Sequence, residues 1–322
     1  METIFISIAA QDDEELKHTI DNAFKNSDFP ERVFVGVALT AMKNKTLKDL
    51  RLRSNKNNNI IFDFIKQKRN NLKTLGIGKG RFRAASLYNN QDYMLQIDCH
   101  TLLDVSWDTK LISFFKEASE YVGGKIVLSG IPPVYRYCCT EHNSPIKSMP
   151  ESRYPYYENN SFFVNVVPRW TEVSVLNKGL KKFLPVSKVS PAFIFGNKDF
   201  ANNHGIHKDA IFYDEDFTQS VNLFSKEFAF VFPNIEDFPV MHLDSNGIID
   251  GHDRYFFLNY LNAKNNDMIH EKLRQEYINF VKNKENLKAL EKYREYSKVD
   301  PVKGFFSFKK EVVPDSFRLD KK

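Results

Sequence analysis

Tyr93-Met94-Leu95-Gln96-Ile97-Asp98-Cys99-His100 reads as an apolar strand that ends in an acid, one spacer and an imidazole. Alternate side chains of a strand share a face, so Asp98 and His100 are expected to look toward one point. Open α/β sheets bind ligands just beyond the carboxyl ends of their strands. One carboxylate with one imidazole suits manganese, or another divalent ion of intermediate hardness. Taken alone, the same residues read more readily as an acid that caps a turn beside an incidental histidine.

The flanking sequence sets this strand in a sheet. Residues 4–10 form an apolar run that predicts a buried strand, and residues 32–39 predict a second. Between them, residues 12–24 place Leu16, Ile20 and Phe24 at helical spacing, with acids in the expected first turn. A strand-helix-strand unit of this kind predicts parallel pairing. Residues 43–58, rich in Lys, Arg and Asn, predict a loop or short surface helix, and 60–64 an irregular strand. Residues 76–80 predict a flexible glycine loop leading into a helix over 81–89.

Downstream, residues 107–122 predict an amphipathic helix and 125–129 a strand, with an excursion loop over 138–157. Further strands are expected at 162–167, 192–195 and 228–232, and a helix at 217–224. From about residue 263 the chain becomes rich in Lys, Glu and Asn, with Ile269, Leu273, Tyr277 and Val281 at helical spacing. The expected fold class is α/β: a Rossmann-like, mixed but mainly parallel central sheet flanked by helices. A catalytic domain is expected over 1–262 and a helical C-terminal extension over 263–322.

Bulk composition excludes several classes. The 322 residues carry 46 Lys and Arg against 41 Asp and Glu, a mildly basic balance that tolerates an anionic nucleotide without requiring nucleic acid. The three cysteines, Cys99, Cys138 and Cys139, are odd in number and include an adjacent pair, so no disulfide framework is implied. No CxxC pair suggests a zinc ribbon. No run reaches transmembrane length, and the first ten residues lack the basic start of a signal peptide.

Three more segments carry candidate chemistry. Gly78-Lys79-Gly80-Arg81-Phe82-Arg83-Ala84-Ala85 sets glycines and cations before a helix, where anions are favoured and arginine can fork onto phosphate oxygens. A basic surface loop would read the same. Asp214-Glu215-Asp216 precede a helix, either to complement its dipole or to bind sugar hydroxyls. His242 lies in the mostly apolar run Pro239-Val240-Met241-His242-Leu243, as a structural histidine or as a third metal ligand.

In this order the segments resemble a family of GT-A glycosyltransferases, those that add GlcNAc to hydroxyproline on a cytoplasmic protein. The family's opening I-F-V-S-I-A is matched by Ile4 to Ala9, its R-V-x-V-G-V strand by Arg32 to Val37, and a Gly/Ala/Arg segment loosely by Gly80 to Ala85. Its Q-I-D-S-H corresponds to Gln96-Ile97-Asp98-Cys99-His100, with Trp107-Asp108 following. Its G-E-E corresponds to Asp214-Glu215-Asp216 and its Y-H-L to Met241-His242-Leu243. The D-x-H also resembles the polypeptide GalNAc-transferases. The likeness spans about residues 3–245 and departs from the family at the glycine of G-E-E, which is Asp214 here.

The resemblance implies a metal-dependent, retaining enzyme that moves a sugar, best read as GlcNAc, from a UDP-sugar to a hydroxyl, in a cytoplasmic setting. It implies that Asp98, His100 and His242 hold manganese, with magnesium as the other option. Arg81 or Arg83 would assist at the diphosphate. Ser7, Ala9, Thr40, Gln96 and Asp98 would border the nucleotide, and Glu215 and Asp216 would position sugar or acceptor. The expected acceptor is a protein hydroxyl. Two alternatives are a hydroxylated DNA base, whose binding would weaken steeply with salt, and a non-catalytic sugar- or partner-binding module with the same fold.

Overall fold

The computed structural model describes residues 1–11, 13, 15–41, 59–66, 77–130, 132–137, 145–147, 161–167, 169–174, 182–186, 189–210, 215–233 and 238–243. In chain order the elements are β1 (Ile4–Gln11), α1 (Leu16–Lys25), β2 (Val33–Ala41), β3 (Ile60–Lys66), α2 (Ile77–Ala85), β4 (Tyr93–Asp98) and β5 (Thr101–Leu103). They continue with α3 (Trp107–Val122), β6 (Lys125–Ser129), β7 (Val134–Tyr137), β8 (Pro145–Lys147), β9 (Ser161–Val167), β10 (Arg169–Ser174) and β11 (Phe183–Val186). The last are β12 (Phe193–Asn197), α4 (Lys198–Asn202), α5 (Glu215–Phe224), β13 (Phe228–Pro233) and β14 (Val240–Leu243).

Eight strands form the central sheet in the order β11-β13-β6-β12-β4-β1-β2-β3. β1 pairs in parallel with β2, as the strand-helix-strand unit predicts, and β1 with β4, β2 with β3 and β6 with β13 are parallel as well. β12 runs against both β4 and β6, and β11 against β13, which makes the sheet mixed but mainly parallel. A smaller sheet follows the order β5-β14-β7-β8, and β9 and β10 form a separate hairpin.

The two faces of β1 have different jobs. Ile4, Ile6 and Ile8 point into the main core, where Leu16 and Ile20 of α1 and Trp107 and Leu111 of α3 meet them. Each such side chain, fully withdrawn from water, contributes about 1.5–3 kcal/mol. Toward its carboxyl end the opposite face is small: Ser7 and Ala9, with Gly36 and Ala38 of β2 in register beside them. Small residues let α2 lie close, and a Cβ at Gly80 would stand 3.2 Å from that of Ala9. Buried Asp108 at the start of α3 accepts from Ser27 Oγ, the amides of Asp28 and Phe29, and Arg32 Nε, which ties the α1–β2 connection to α3.

Three local expectations change. First, α2 begins at Ile77, so Gly78 and Gly80 lie inside a helix and not in a loop. The reason is space: a Cβ at Gly78 would come within 2.3 Å of the His207 carbonyl oxygen and 2.9 Å of the Ala210 backbone. Second, α1 begins at Leu16 with no acid in its first turn, which leaves Asp13 for other work. Third, β4 stops at Asp98 and the chain turns over Cys99 and His100 before β5. The pair therefore converges through a turn and not through strand alternation. The segments 43–58 and 263–322 lie outside the described residues, as does most of 138–157.

Candidate active site

Asp98 closes β4 at the carboxyl end of the sheet, with Ala9 of β1 directly opposite in parallel register. Its two oxygens have separate partners. Oδ1 accepts from Arg81 Nη2 at 2.6 Å. Oδ2 lies 3.0 Å from His242 Nε2 and 3.8 Å from His100 Nε2. The two imidazoles meet edge to face with centroids 4.7 Å apart.

The small sheet explains how residues so distant in sequence meet. Antiparallel pairing sets His242 of β14 opposite Thr101 of β5. The amide of Leu243 donates to the His100 carbonyl, and that of His242 donates to the Pro133 carbonyl before β7. β14 is thus fixed on both sides, and its histidine is delivered to Asp98.

The donor atoms of Asp98, His100 and His242 all lie within 4.8 Å of one another. One carboxylate and two imidazoles match a divalent ion of intermediate hardness. Octahedral coordination with bonds of about 2.1 Å sets neighbouring ligand atoms about 3.0 Å apart, close to the Asp98–His242 spacing. The residues fit a metal position.

Arg81 is buried beneath this triad and bridges two acids. Nη2 holds Asp98, and Nε donates to Glu215 Oε2 at 2.8 Å. Its Nη1 is buried and finds no hydrogen-bond partner among the described residues. A guanidinium has no acceptor role, so this nitrogen is a donor not used by the described residues. Burial works against the charge of Asp98, but the Arg81 charge, the His242 hydrogen bond and His100 outweigh it and hold the carboxyl well below the usual range. For Glu215 burial prevails over Arg81, and its pKa is pushed up to about 7.

Arg83 is elsewhere. It pairs through both nitrogens with Asp63 of β3 and is more than a third exposed. Of the two arginines, Arg81 is the one beside Asp98. Asp216 follows Glu215 in the first turn of α5 and is partly exposed. Ala9 and Thr40 lie partly exposed near the carboxyl ends of β1 and β2, with Thr40 paired to Gln11. Ser7 is two residues deeper and buried, its hydroxyl without a partner among the described residues.

Gln96, expected at the nucleotide, is fully buried. Its amide donates to the Pro191 carbonyl and exchanges hydrogen bonds with Gln219 of α5. Gln96 therefore braces α5, and through it Glu215, against β4. Two residues join the site that sequence reasoning passes over. Asp13 Oδ2 lies 2.9 Å from His100 Nδ1. Gln11, at the end of β1, keeps a buried Nε2 without a partner among the described residues. Acids near a helix start read as dipole partners, which hides Asp13. Nothing local marks Gln11.

A family model described as Glycosyltransferase (GlcNAc) matches residues 3–74 and 63–243. The chain belongs to that family. The match ends at the last residue of β14, so it takes in Arg81, the turn at His100, Glu215 and His242. Among solved structures, GalNAc-T7, crystallised with UDP, GalNAc and Mn2+, is 14% identical over 94% of this chain and 56% of its own, with a TM-score of 0.54. Residues 1–349 of S. aureus TarS give 14% identity over 74% of this chain and 58% of that one, with a TM-score of 0.38. The chain spans little more than half the length of either. The likeness to GalNAc-T7 shows a shared GT-A-type fold. No curated protein matches the chain in sequence.

Proposed function

We propose that the chain is a metal-dependent, retaining glycosyltransferase that moves a sugar, best read as GlcNAc, from a UDP-sugar to a hydroxyl acceptor on a protein. The observation that carries this reading is the meeting of Asp98, His100 and His242 directly above a buried arginine with a spare donor. The family match supports the transfer reaction. UDP and Mn2+ in the GalNAc-T7 crystals support the donor class and the metal.

In this reading Asp98 Oδ2 and the Nε2 atoms of His100 and His242 hold manganese, with magnesium as the other candidate. The ion supplies Lewis-acid stabilisation of a diphosphate leaving group. Arg81 Nη1 donates to an oxygen of the same diphosphate, a charge-assisted bond placed where charge develops. Ala9 and Thr40 border the uridine at the strand ends. Ser7 shapes the floor from below, while Gln96 supports and does not touch the nucleotide. Glu215 and Asp216 position the sugar or acceptor. Arg83 secures α2 to β3 and has no assigned contact with the substrate.

Among the described residues no helix is long and apolar enough to cross a membrane. The cytoplasmic setting belongs to the proposal and is supported by cysteines without a disulfide pattern. The two-part division, catalytic to about residue 262 and helical beyond it, is likewise proposed from the change in composition.

The test is UDP release from a panel of UDP-sugars with manganese and no acceptor. One donor should be hydrolysed, and Asp98→Ala or His100→Ala should reduce release to background. Turnover of the wild type that survives excess chelator would overturn the metal-dependent reading.

A further inference from the structure

His100 sits on a turn between β4 and β5, its ring edge to face with that of His242. An imidazole in that position can flip, or can carry its single neutral proton on either nitrogen. Only one arrangement presents a lone pair at Nε2 toward Asp98 and His242. The ring therefore needs a partner at Nδ1.

We propose that Asp13 is that partner, a positioning residue that fixes the orientation and tautomer of His100 and thereby sets the affinity of the metal position. The inference rests on the reading of Asp98, His100 and His242 as metal ligands. Asp13 Oδ2 lies 2.9 Å from His100 Nδ1. A carboxylate only accepts, so the proton belongs on Nδ1 and the lone pair on Nε2. The opposite tautomer would set a lone pair against a carboxylate oxygen. A histidine ligand that donates its second nitrogen to a carboxylate is also a stronger donor to the ion.

Asp13 is itself held in place. Its Oδ1 accepts from the amide of Glu15 at 2.9 Å, just before α1 begins. The thiol of Cys99 donates to the same Oδ2 that faces His100, at 3.4 Å. The polar side of α1 and its C-cap Asn26 then hold the end of the turn and β5 behind it. Thr19 Oγ1 donates to the Cys99 carbonyl and accepts from the Thr101 amide. Asn22 Oδ1 accepts from the Leu103 amide, and Asn26 Nδ2 donates to the Leu103 carbonyl. α1 and its C-cap thus hold the backbone around the turn, and Asp13 ahead of the helix meets the ring.

The test uses the full chain and manganese alone. Mn2+ binding is followed by electron paramagnetic resonance for the wild type, Asp13→Asn and Asp13→Glu. The tautomer of His100 is read from ¹⁵N-labelled histidine spectra of the metal-free protein, assigned with His100→Ala. Asp13→Asn should weaken Mn2+ binding by about 10–100-fold with an unchanged circular dichroism spectrum. Asp13→Glu should recover part of that loss. Wild-type His100 should carry its proton on Nδ1, and Asp13→Asn should populate the other tautomer. Equal Mn2+ affinity in wild type and Asp13→Asn would overturn this inference and leave the metal reading standing. An Nε2–H tautomer in the wild type would overturn it without recourse to any variant. A wild type that binds no Mn2+ would overturn the metal reading itself, and this inference with it.

Discussion

A guanidinium shut between two carboxylates gives the site its charge balance. Arg81 is 3% exposed and serves Asp98 with one nitrogen and Glu215 with another. Removing one partner of a buried ion pair leaves the other uncompensated, at a cost of about 3–5 kcal/mol. Arg81→Ala should lower the urea midpoint by a corresponding amount. Arg83→Ala, which breaks an exposed pair with Asp63, should cost no more than about 1 kcal/mol. Glu215 adds a pH dependence. Its folded pKa of about 7 lies above the ordinary 4.5. Its contribution to stability is therefore fully present below about pH 4.5 and lost as pH rises through about 7. The stability of the metal-free wild type, measured against Glu215→Gln by urea denaturation, should fall from pH 4.5 to pH 8. A flat difference would mean that Glu215 ionises normally. Sequence reading names Asp98, His100, Glu215 and His242 because each closes a strand, opens a helix or interrupts an apolar run. It cannot separate Arg81 from Arg83. They stand two positions apart on one helix and face different neighbours, which only packing reveals.

At the scale of elements, the close approach of α2 to the segment at 207–210 depends on one missing side chain. A methyl at Gly78 would meet backbone atoms at 2.3 and 2.9 Å, and backbone cannot swing aside. At Gly80 the nearest atom is the Ala9 Cβ at 3.2 Å, which a few tenths of an ångström relieve. Gly78→Ala should therefore cost about 1–3 kcal/mol by overpacking despite the better helix propensity of alanine. Gly80→Ala should change stability by less than half as much, with thermal melting of both variants as the readout. A glycine-rich run reads as a loop because glycine disfavours helices, so the start of α2 is misplaced from sequence. The close neighbour that demands glycine is more than a hundred residues away. The same distance effect moves Asp13 from a dipole partner to a neighbour of His100. Strands β1, β2, β4 and β6 are legible because buried parallel strands appear as nearly unbroken apolar runs.

Across the whole molecule, the sheet order brings the ends of β1, β2 and β4 to one edge, and the small sheet carries β14 back to it. The central α/β architecture is legible because alternating strands and helices leave few ways to build a sheet. The small sheet is not, since its strands are three or four residues long and β14 pairs with β5 and β7 across more than a hundred positions. Yet it is this pairing that brings His242 beside the Asp-x-His turn, completing a group of three donors that could hold a metal. A ligand that binds only the folded chain raises its stability by RT ln(1 + [L]/Kd). The wild type should therefore melt at higher temperature as Mn2+ is added. Asp98→Ala should show no such rise.

The most direct test of the central claim is Mn2+ binding to the wild type and His242→Ala by equilibrium dialysis with no nucleotide present. His242 lies 144 positions from Asp98, and the fold alone brings the two together. The wild-type chain should bind one Mn2+ saturably, and a folded His242→Ala should lose that site or bind at least about tenfold more weakly. Unchanged binding in that variant would contradict the three-ligand site.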